Sequence, residues 1–239
     1  MKTLFLSDLH LEDSRPEALH WMIGFLEGPA RDAAAVYILG DLFEYWIGDD
    51  APSQTARTLA GATRGLADRG VRIGFIHGNR YFLLGAAYAA KAGFDLLPET
   101  VTLDLYGTPT VLLHGDTLCT DDLEYQAVRA QTRDPSWQRQ VLSMSVQERI
   151  DMARNARDAS MAHTGSTAAE IMDVNQQAVL DAFATSGARL MIHGHTHRPA
   201  IHDVPMEDGT IAQRIVLADW YDHGSYLEVT SGDIRSRTL

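Results

Sequence analysis

Short, wholly apolar runs alternate with longer stretches of helical spacing through the first half of the chain. Thr3–Ser7, Val36–Leu39 and Val71–Ile76 read as buried strands. Between them, Pro16 opens a helix at the position proline favours. Ser53 is placed to cap a second, whose alanines and leucines keep helical spacing up to Gly70. Val101–Tyr106 and Pro109–Leu113 flank Gly107-Thr108 and predict a hairpin. From Asp121 to about Ser186 the pattern is helical, polar and methionine-containing, with no clear strand. Strands return at Arg189–Ile192, Ile211–Leu217 and Tyr226–Val229. With no repeat, linker or low-complexity stretch, the expected layout is one α/β domain over residues 1–239, carrying a helical insertion at about 121–186.

Composition narrows the function. The chain has 239 residues, 45% of them hydrophobic and 22% charged, which suits a soluble globular protein with a sizeable core. A formal net charge of −12 argues against nucleic acid as a partner, because that partner wants a basic footprint. Cys119 is the single cysteine, so neither an internal disulfide nor a thiolate zinc cluster is available, and a reducing cytosol fits. The apolar start is too short for a signal peptide, and Tyr81–Ala90 is about half of what a spanning helix needs.

The chemistry lies at the strand ends. Each strong strand hands over polar residues as it finishes: Asp8 and His10, then Asp41, Asn79, His114, and finally His195 and His197. In sheet-based enzymes that edge is where ligands bind. Two carboxylates, an amide and four imidazoles form a nitrogen and oxygen set that suits Mn²⁺, Fe²⁺ or Zn²⁺ better than Ca²⁺. Asp41 has two oxygens with which to bridge a pair of ions, and such a pair could clamp an in-line displacement at phosphorus. Each element alone has a plainer reading: Asp-x-His as a loop, Gly40-Asp41 and Gly78-Asn79 as turns, Gly194 as relief for a tight bend. Their joint order, each after a hydrophobic strand, favours the metal site.

Asp8-x-His10, Gly40-Asp41-x-x-Glu44, Gly78-Asn79-Arg80, His114 and Gly194-His195-x-His197 resemble the calcineurin-like metallophosphoesterase signature. The resemblance implies a four-layer αββα sandwich whose helical insertion caps the active site. It also implies that Asp8, His10, Asp41, Asn79, His114, His195 and His197 bind two metal ions, with His193 facing inward as a structural residue. Most members of that superfamily carry a histidine after the asparagine, able to protonate an alkoxide; here Arg80 follows Asn79. Arginine stays protonated and cannot donate that proton. A phosphate leaving from a diphosphate needs none, since it departs as a stable anion with a second pKa of about 6. Arg80 thus suits diphosphate cleavage, holding an oxygen by charge.

The longer strings "GDLFEYWIGDD" (40–50), "HGNR" (77–80), "HGDTLCTDD" (114–122), "IMDVN" (171–175) and "HGHTHRPAIH" (193–202) resemble the UDP-2,3-diacylglucosamine pyrophosphatase family of lipid A biosynthesis over nearly the whole chain. That resemblance implies hydrolysis of UDP-2,3-diacylglucosamine to 2,3-diacylglucosamine 1-phosphate and UMP, by water activated at two Mn²⁺ ions and attacking the α-phosphorus. It implies catalytic roles for the seven metal-site residues and Arg80, and substrate contacts from Asn79, Arg80, Asp122, Ser160 and His195. It further implies a cytoplasmic enzyme peripheral on the inner membrane, with no obligate protein partner. Trp137, Val141, Leu142, Met144, Val146 and Ile150, or Met152, Met161 and Met172, are candidates for an acyl groove, though residues so spaced are as readily core. The chain departs from the family at Tyr81, where the family has aspartate, and at Thr164 and Thr167, where it has asparagine or threonine and then lysine. One cationic phosphate contact is thereby lost, and a weakened activity is expected. The competing readings are action on another nucleotide diphosphate or phosphodiester, and a non-catalytic binding module that kept the scaffold.

Overall fold

The computed structural model describes every residue except 80, 81, 167, 169 and 170, and gives backbone only at 161 and 163–166. Its first sheet runs β11-β10-β1-β2-β3-β4, from β1 (Lys2–Leu6), β2 (Ala35–Leu39), β3 (Arg72–Ile76), β4 (Asp95–Leu96), β10 (Ser225–Thr230) and β11 (Asp233–Thr238). The second runs β5-β6-β7-β9-β8, from β5 (Thr100–Leu105), β6 (Thr108–Leu113), β7 (Leu190–His193), β8 (Ala200–Pro205) and β9 (Ile211–Val216). Each sheet has a parallel block, β1-β2-β3-β4 in one and β6-β7-β9 in the other, and its remaining strands pair antiparallel. Parallel strands lie buried on both faces, which is why β2 shows an unbroken buried run.

Three apolar clusters set the layers. Leu4, Leu6, Val36, Ile38, Ile73 and Phe75 point outward from the first sheet onto α1 (Pro16–Glu27), α2 (Gln54–Ala67) and α3 (Ala86–Ala92). Phe5, Leu39, Ile76, Leu112, Ile192 and Ile215 fill the space between the sheets. Val111, Leu113 and Met191 face the other way, onto Val179 and Phe183 of α7 (Gln176–Ser186). The order is helix, sheet, sheet, helix: the four-layer sandwich.

Local chemistry accounts for the helix boundaries. Pro16 opens α1, and Ala18, Met22, Phe25 and Leu26 form its buried stripe. Ser53 Oγ accepts the Ala56 N–H at the start of α2. The helical stretch at 121–186 comprises α4 (Leu123–Thr132), α5 (Pro135–Leu142), α6 (Val146–Ser166) and α7. The last of these belongs to the body as its outer layer, leaving α4–α6 as the segment beside the strand ends. β8 and β11 went unpredicted because each is almost wholly exposed, which erases the alternation that announces a strand.

Candidate metal centre

The parallel strands of both sheets finish at one edge. Asp8 follows β1, Asp41 follows β2, Asn79 follows β3, His114 follows β6, and His195 and His197 follow β7. Backbone bonds lock these ends together: Asp8 N–H donates to Gly40 O at 3.2 Å, His10 N–H to Asp41 O at 3.0 Å, and Gly194 N–H to His114 O at 2.8 Å. Across the two sheets, His195 N–H donates to Asp8 Oδ2 at 2.9 Å. Asp8, His10, Asp41, His195 and His197 all have left-handed backbones, with φ of 57°, 48°, 47°, 69° and 54°. Among the described residues Tyr106 is the only other non-glycine so placed. Each such conformation costs on the order of 1–3 kcal/mol and persists only where surroundings enforce it. The strain is collected where these side chains must turn toward one point.

Two glycines permit the approach. A Cβ on Gly194 would fall on Ser7 Oγ and Asp8 Oδ2, and one on Gly78 would fall on Asp41 Oδ1. Gly194, expected as relief for a tight bend, is needed for this close packing of one sheet's end against the other.

Asp8, His10 and His197 present ligand atoms within 4.8 Å of one another, and so do Asp8, Asp41 and His114. Asp8 belongs to both groups, and Asp41 lies near each, with Oδ2 3.9 Å from His10 Nε2 and Oδ1 3.6 Å from His114 Nε2. His195 joins through Nδ1, 3.2 Å from His114 Nε2. His10 Nε2, Asp41 Oδ1 and Asn79 Oδ1 are buried without a hydrogen-bond partner. Buried polar atoms are nearly always satisfied. A concentration of orphaned oxygens and nitrogens in one place fits divalent cations, and the donor types fit as well.

Electrostatics agrees. Burial pushes the Asp8 carboxyl upward, but the His197 hydrogen bond and the nearby imidazoles outweigh it and hold Asp8 well below the usual carboxylate range. Burial acts downward on His114, yet Asp41, Asp8 and Asp116 raise it. Burial and the charge of His114 push His195 down to about 4. The carboxylates favour positive charge on His114, while burial and that charge disfavour it on His195.

A supporting shell orients the imidazoles, as metal-binding histidines require. His114 Nδ1 donates to Leu39 O at 2.8 Å. His10 Nδ1 lies 3.1 Å from Glu44 Oε2, and His197 Nδ1 3.6 Å from Asp219 Oδ2. Tyr221 stacks on His10 with ring centroids 5.2 Å apart. Glu44 was visible in the Gly-Asp-x-x-Glu string but given no role. Asp219 was missed although it follows Ile211–Leu217, so the rule that found the others would have found it. His193 is fully buried, donates through Nδ1 to Gly194 O and accepts from Arg214 at Nε2, an inward structural placement.

The cap approaches with basic side chains. Tyr125 and Arg129 of α4 bond to Asp116 Oδ2 at 2.9 and 2.8 Å, and Arg133 donates to Gly78 O at 2.8 Å. On α6, Arg157 lies 3.2 Å from Glu44 and 3.6 Å from Glu12. Ser160 is one helical turn beyond Arg157 on the same face, half-buried. Asp122 caps α4, accepting the Tyr125 N–H at 3.0 Å. Arg80, Tyr81 and Thr167 lie outside the described residues, as does the side chain of Thr164. Of the groove candidates, Val146 and Ile150 line a cavity of about 210 Å³ with Trp46 and Tyr45. Val141, Trp137, Met144 and Met152 instead pack into the first core.

Residues 1–199 match the family model for calcineurin-like phosphoesterases. The chain is 52% identical to a UDP-2,3-diacylglucosamine hydrolase of Stenotrophomonas maltophilia (strain K279a), covering 100% of this chain and 99% of that protein. It is 47% identical to the protein of that name from Xanthomonas oryzae pv. oryzae (strain PXO99A), covering 98% and 97%. Among solved structures, an archaeal phosphodiesterase aligns over 100% of both chains with a TM-score of 0.50 and 12% identity, a likeness of fold.

Proposed function

The chain belongs to the calcineurin-like phosphoesterase family, and we propose that it hydrolyses the diphosphate of UDP-2,3-diacylglucosamine to 2,3-diacylglucosamine 1-phosphate and UMP. The observation that carries the substrate is the 52% identity, over the full length of both chains, to a UDP-2,3-diacylglucosamine hydrolase. The chemistry is supported by the two ligand groups that share Asp8, buried except for the partly exposed His197.

In this reading the chain holds two Mn²⁺ ions. Asp8, His10 and His197 would hold one, and Asp41, Asn79, His114 and His195 the other, with Asp8 within reach of both sets. When bound, such a pair supplies Lewis-acid charge and a water deprotonated near neutral pH. Glu44, Asp219 and the Leu39 carbonyl keep the imidazoles in the tautomer that points Nε2 inward. Asn79, Arg80 and His195 hold the diphosphate oxygens, and Asp122 and Ser160 contact the substrate from the cap. Water adds to the α-phosphorus to give UMP and the sugar 1-phosphate departs as a phosphate anion, so the chain needs no acid to protonate an alkoxide.

The two acyl chains place the work at a lipid surface, and we assign the protein to the cytoplasmic face of the inner membrane as a peripheral enzyme. Leu123, Val128, Leu142 and Val146 support this: they are large, apolar, exposed and on α4–α6. Among the described residues no helix is long and apolar enough to cross a membrane. The test is UMP release from UDP-2,3-diacylglucosamine with and without Mn²⁺, beside UDP-sugars that lack acyl chains. Mn²⁺-dependent release from the acylated substrate alone is expected. Equal turnover of the unacylated sugars would favour a general nucleotide diphosphatase, and no turnover with metal bound would favour a binding module.

A further inference from the structure

Arg214 is a buried cation with no carboxylate in direct contact, Asp173 acting on it only at longer range. It sits on β9, 5% exposed, on the face turned toward α7. Its Nη1 donates to His193 Nε2 at 3.0 Å, a nitrogen that is unprotonated because it accepts. Its Nε is buried with no partner, and among the described residues no carboxylate lies within 4.0 Å of it. Directly across the strand pair stands His202, a second basic residue, whose pKa is lowered by burial and by the Arg214 charge. Leaving a buried charge uncompensated costs several kcal/mol, so such groups are normally paired.

The unpaired guanidinium lines an open cavity of about 480 Å³, walled by Leu180, Gln176, His202 and Arg198. The two acids at its rim are already engaged: Asp173 pairs with Arg198, and Asp203 accepts from Gln213 at 3.2 Å. The first turn of α7 faces the same space through Gln176, adding a positive helix end.

We propose that this cavity, on the outer face of the second sheet and apart from the strand ends, is a second site that binds a phosphate-bearing small molecule. The phosphate would seat on Arg214 with His202 beside it, and the volume leaves room for an organic body against Leu180. Nothing in the proposed hydrolysis uses these residues. His193 joins Arg214 to the strand that carries His195, so an occupant would touch the scaffold of the metal centre from behind.

The test is equilibrium dialysis of metal-loaded protein with radiolabelled inorganic phosphate, comparing wild type with Leu180→Trp, which fills the cavity. Wild type should bind one phosphate per chain more than the variant, with UMP release unchanged. Equal stoichiometry would overturn the site. If Leu180→Trp melts early, the exposed position His202→Ala carries the test. Loss of one charge-assisted hydrogen bond should weaken that phosphate about tenfold, and an unchanged binding curve would count against the proposal.

Discussion

The strand-end cluster and the helical cap are built on opposite principles. At the strand ends, Asp8, His10, Asp41 and His114 are each at most 2% exposed, come from both sheets and are held by inter-strand hydrogen bonds, the first three on strained left-handed backbones. In the cap, α4 buries none of its residues. What fastens α4–α6, besides Val141, Trp137, Met144 and Met152 against the first core, is a set of arginines: Arg149 to Asp50 and the Ile47 carbonyl, Arg133 and Arg129 to Glu99, Arg157 to Glu44. Rigid packing fixes groups that must hold a metal to a fraction of an ångström. Ion pairs at a partly wet boundary are individually weak and let a segment move as a long substrate enters. Under the proposed function, bond cleavage belongs to the body and substrate capture to the cap.

Substitutions should break that division in graded steps. Asp41→Asn removes charge between the two ligand groups, and we expect activity to fall by about 10³-fold, the scale of losing a principal electrostatic stabiliser. A k_cat within tenfold of wild type would remove Asp41 from the chemistry. Gly194→Ala drives a methyl into Ser7 and Asp8; overpacking of this kind costs about 1–3 kcal/mol, read as a lower Tm together with lost activity. Asp219→Asn leaves every ligand in place but loosens His197, so metal affinity should fall about 10–100-fold, measured by competition with a chelator. Arg157→Ala acts at the cap and should raise KM by up to about tenfold, the loss of a partly exposed contact, with k_cat held. A fall in k_cat alone would mean that the cap takes part in the chemistry.

The smallest effect is on pH dependence. Burial raises the Glu99 carboxyl, but hydrogen bonds from Arg133 and Arg129 outweigh it and leave it below the usual glutamate range. A depressed carboxylate stabilises the fold above its unfolded pKa, and that contribution is lost as pH falls through and below 4.5. Glu99→Gln should therefore lower Tm at pH 7 and converge with wild type in acid. The gap at neutral pH should stay below about 1 kcal/mol, because the side chain is largely solvated. Parallel melting curves at both pH values would show that the strut contributes nothing.

The body was legible in the sequence for the same reason that it is rigid. Strands buried on both faces are continuous apolar runs, so β1, β2, β3, β6 and β7 could be read to within a residue or two, and each ends at a ligand candidate. β8 and β11 were not, because the edge positions expose nearly every side chain and carry no alternation. Glu44 and Asp219 act through an imidazole, and only the fold brings Asp219 to His197. The cap was read as helical but not resolved into layers: α7 looks like its neighbours in sequence, and only Val179 and Phe183 against the second sheet set it apart. Arg214 gives no signal at all, since one arginine within an apolar strand looks exposed until α7 covers it.

The central claim is that side chains from both sheets together hold a pair of divalent cations, and elemental analysis of the purified, manganese-loaded protein tests it most directly. We predict two equivalents of Mn²⁺ per chain, one in His197→Ala and a loss at both positions in Asp41→Asn. A wild-type protein that folds and retains no stoichiometric metal, or an Asp41→Asn variant that still retains both equivalents, would contradict it.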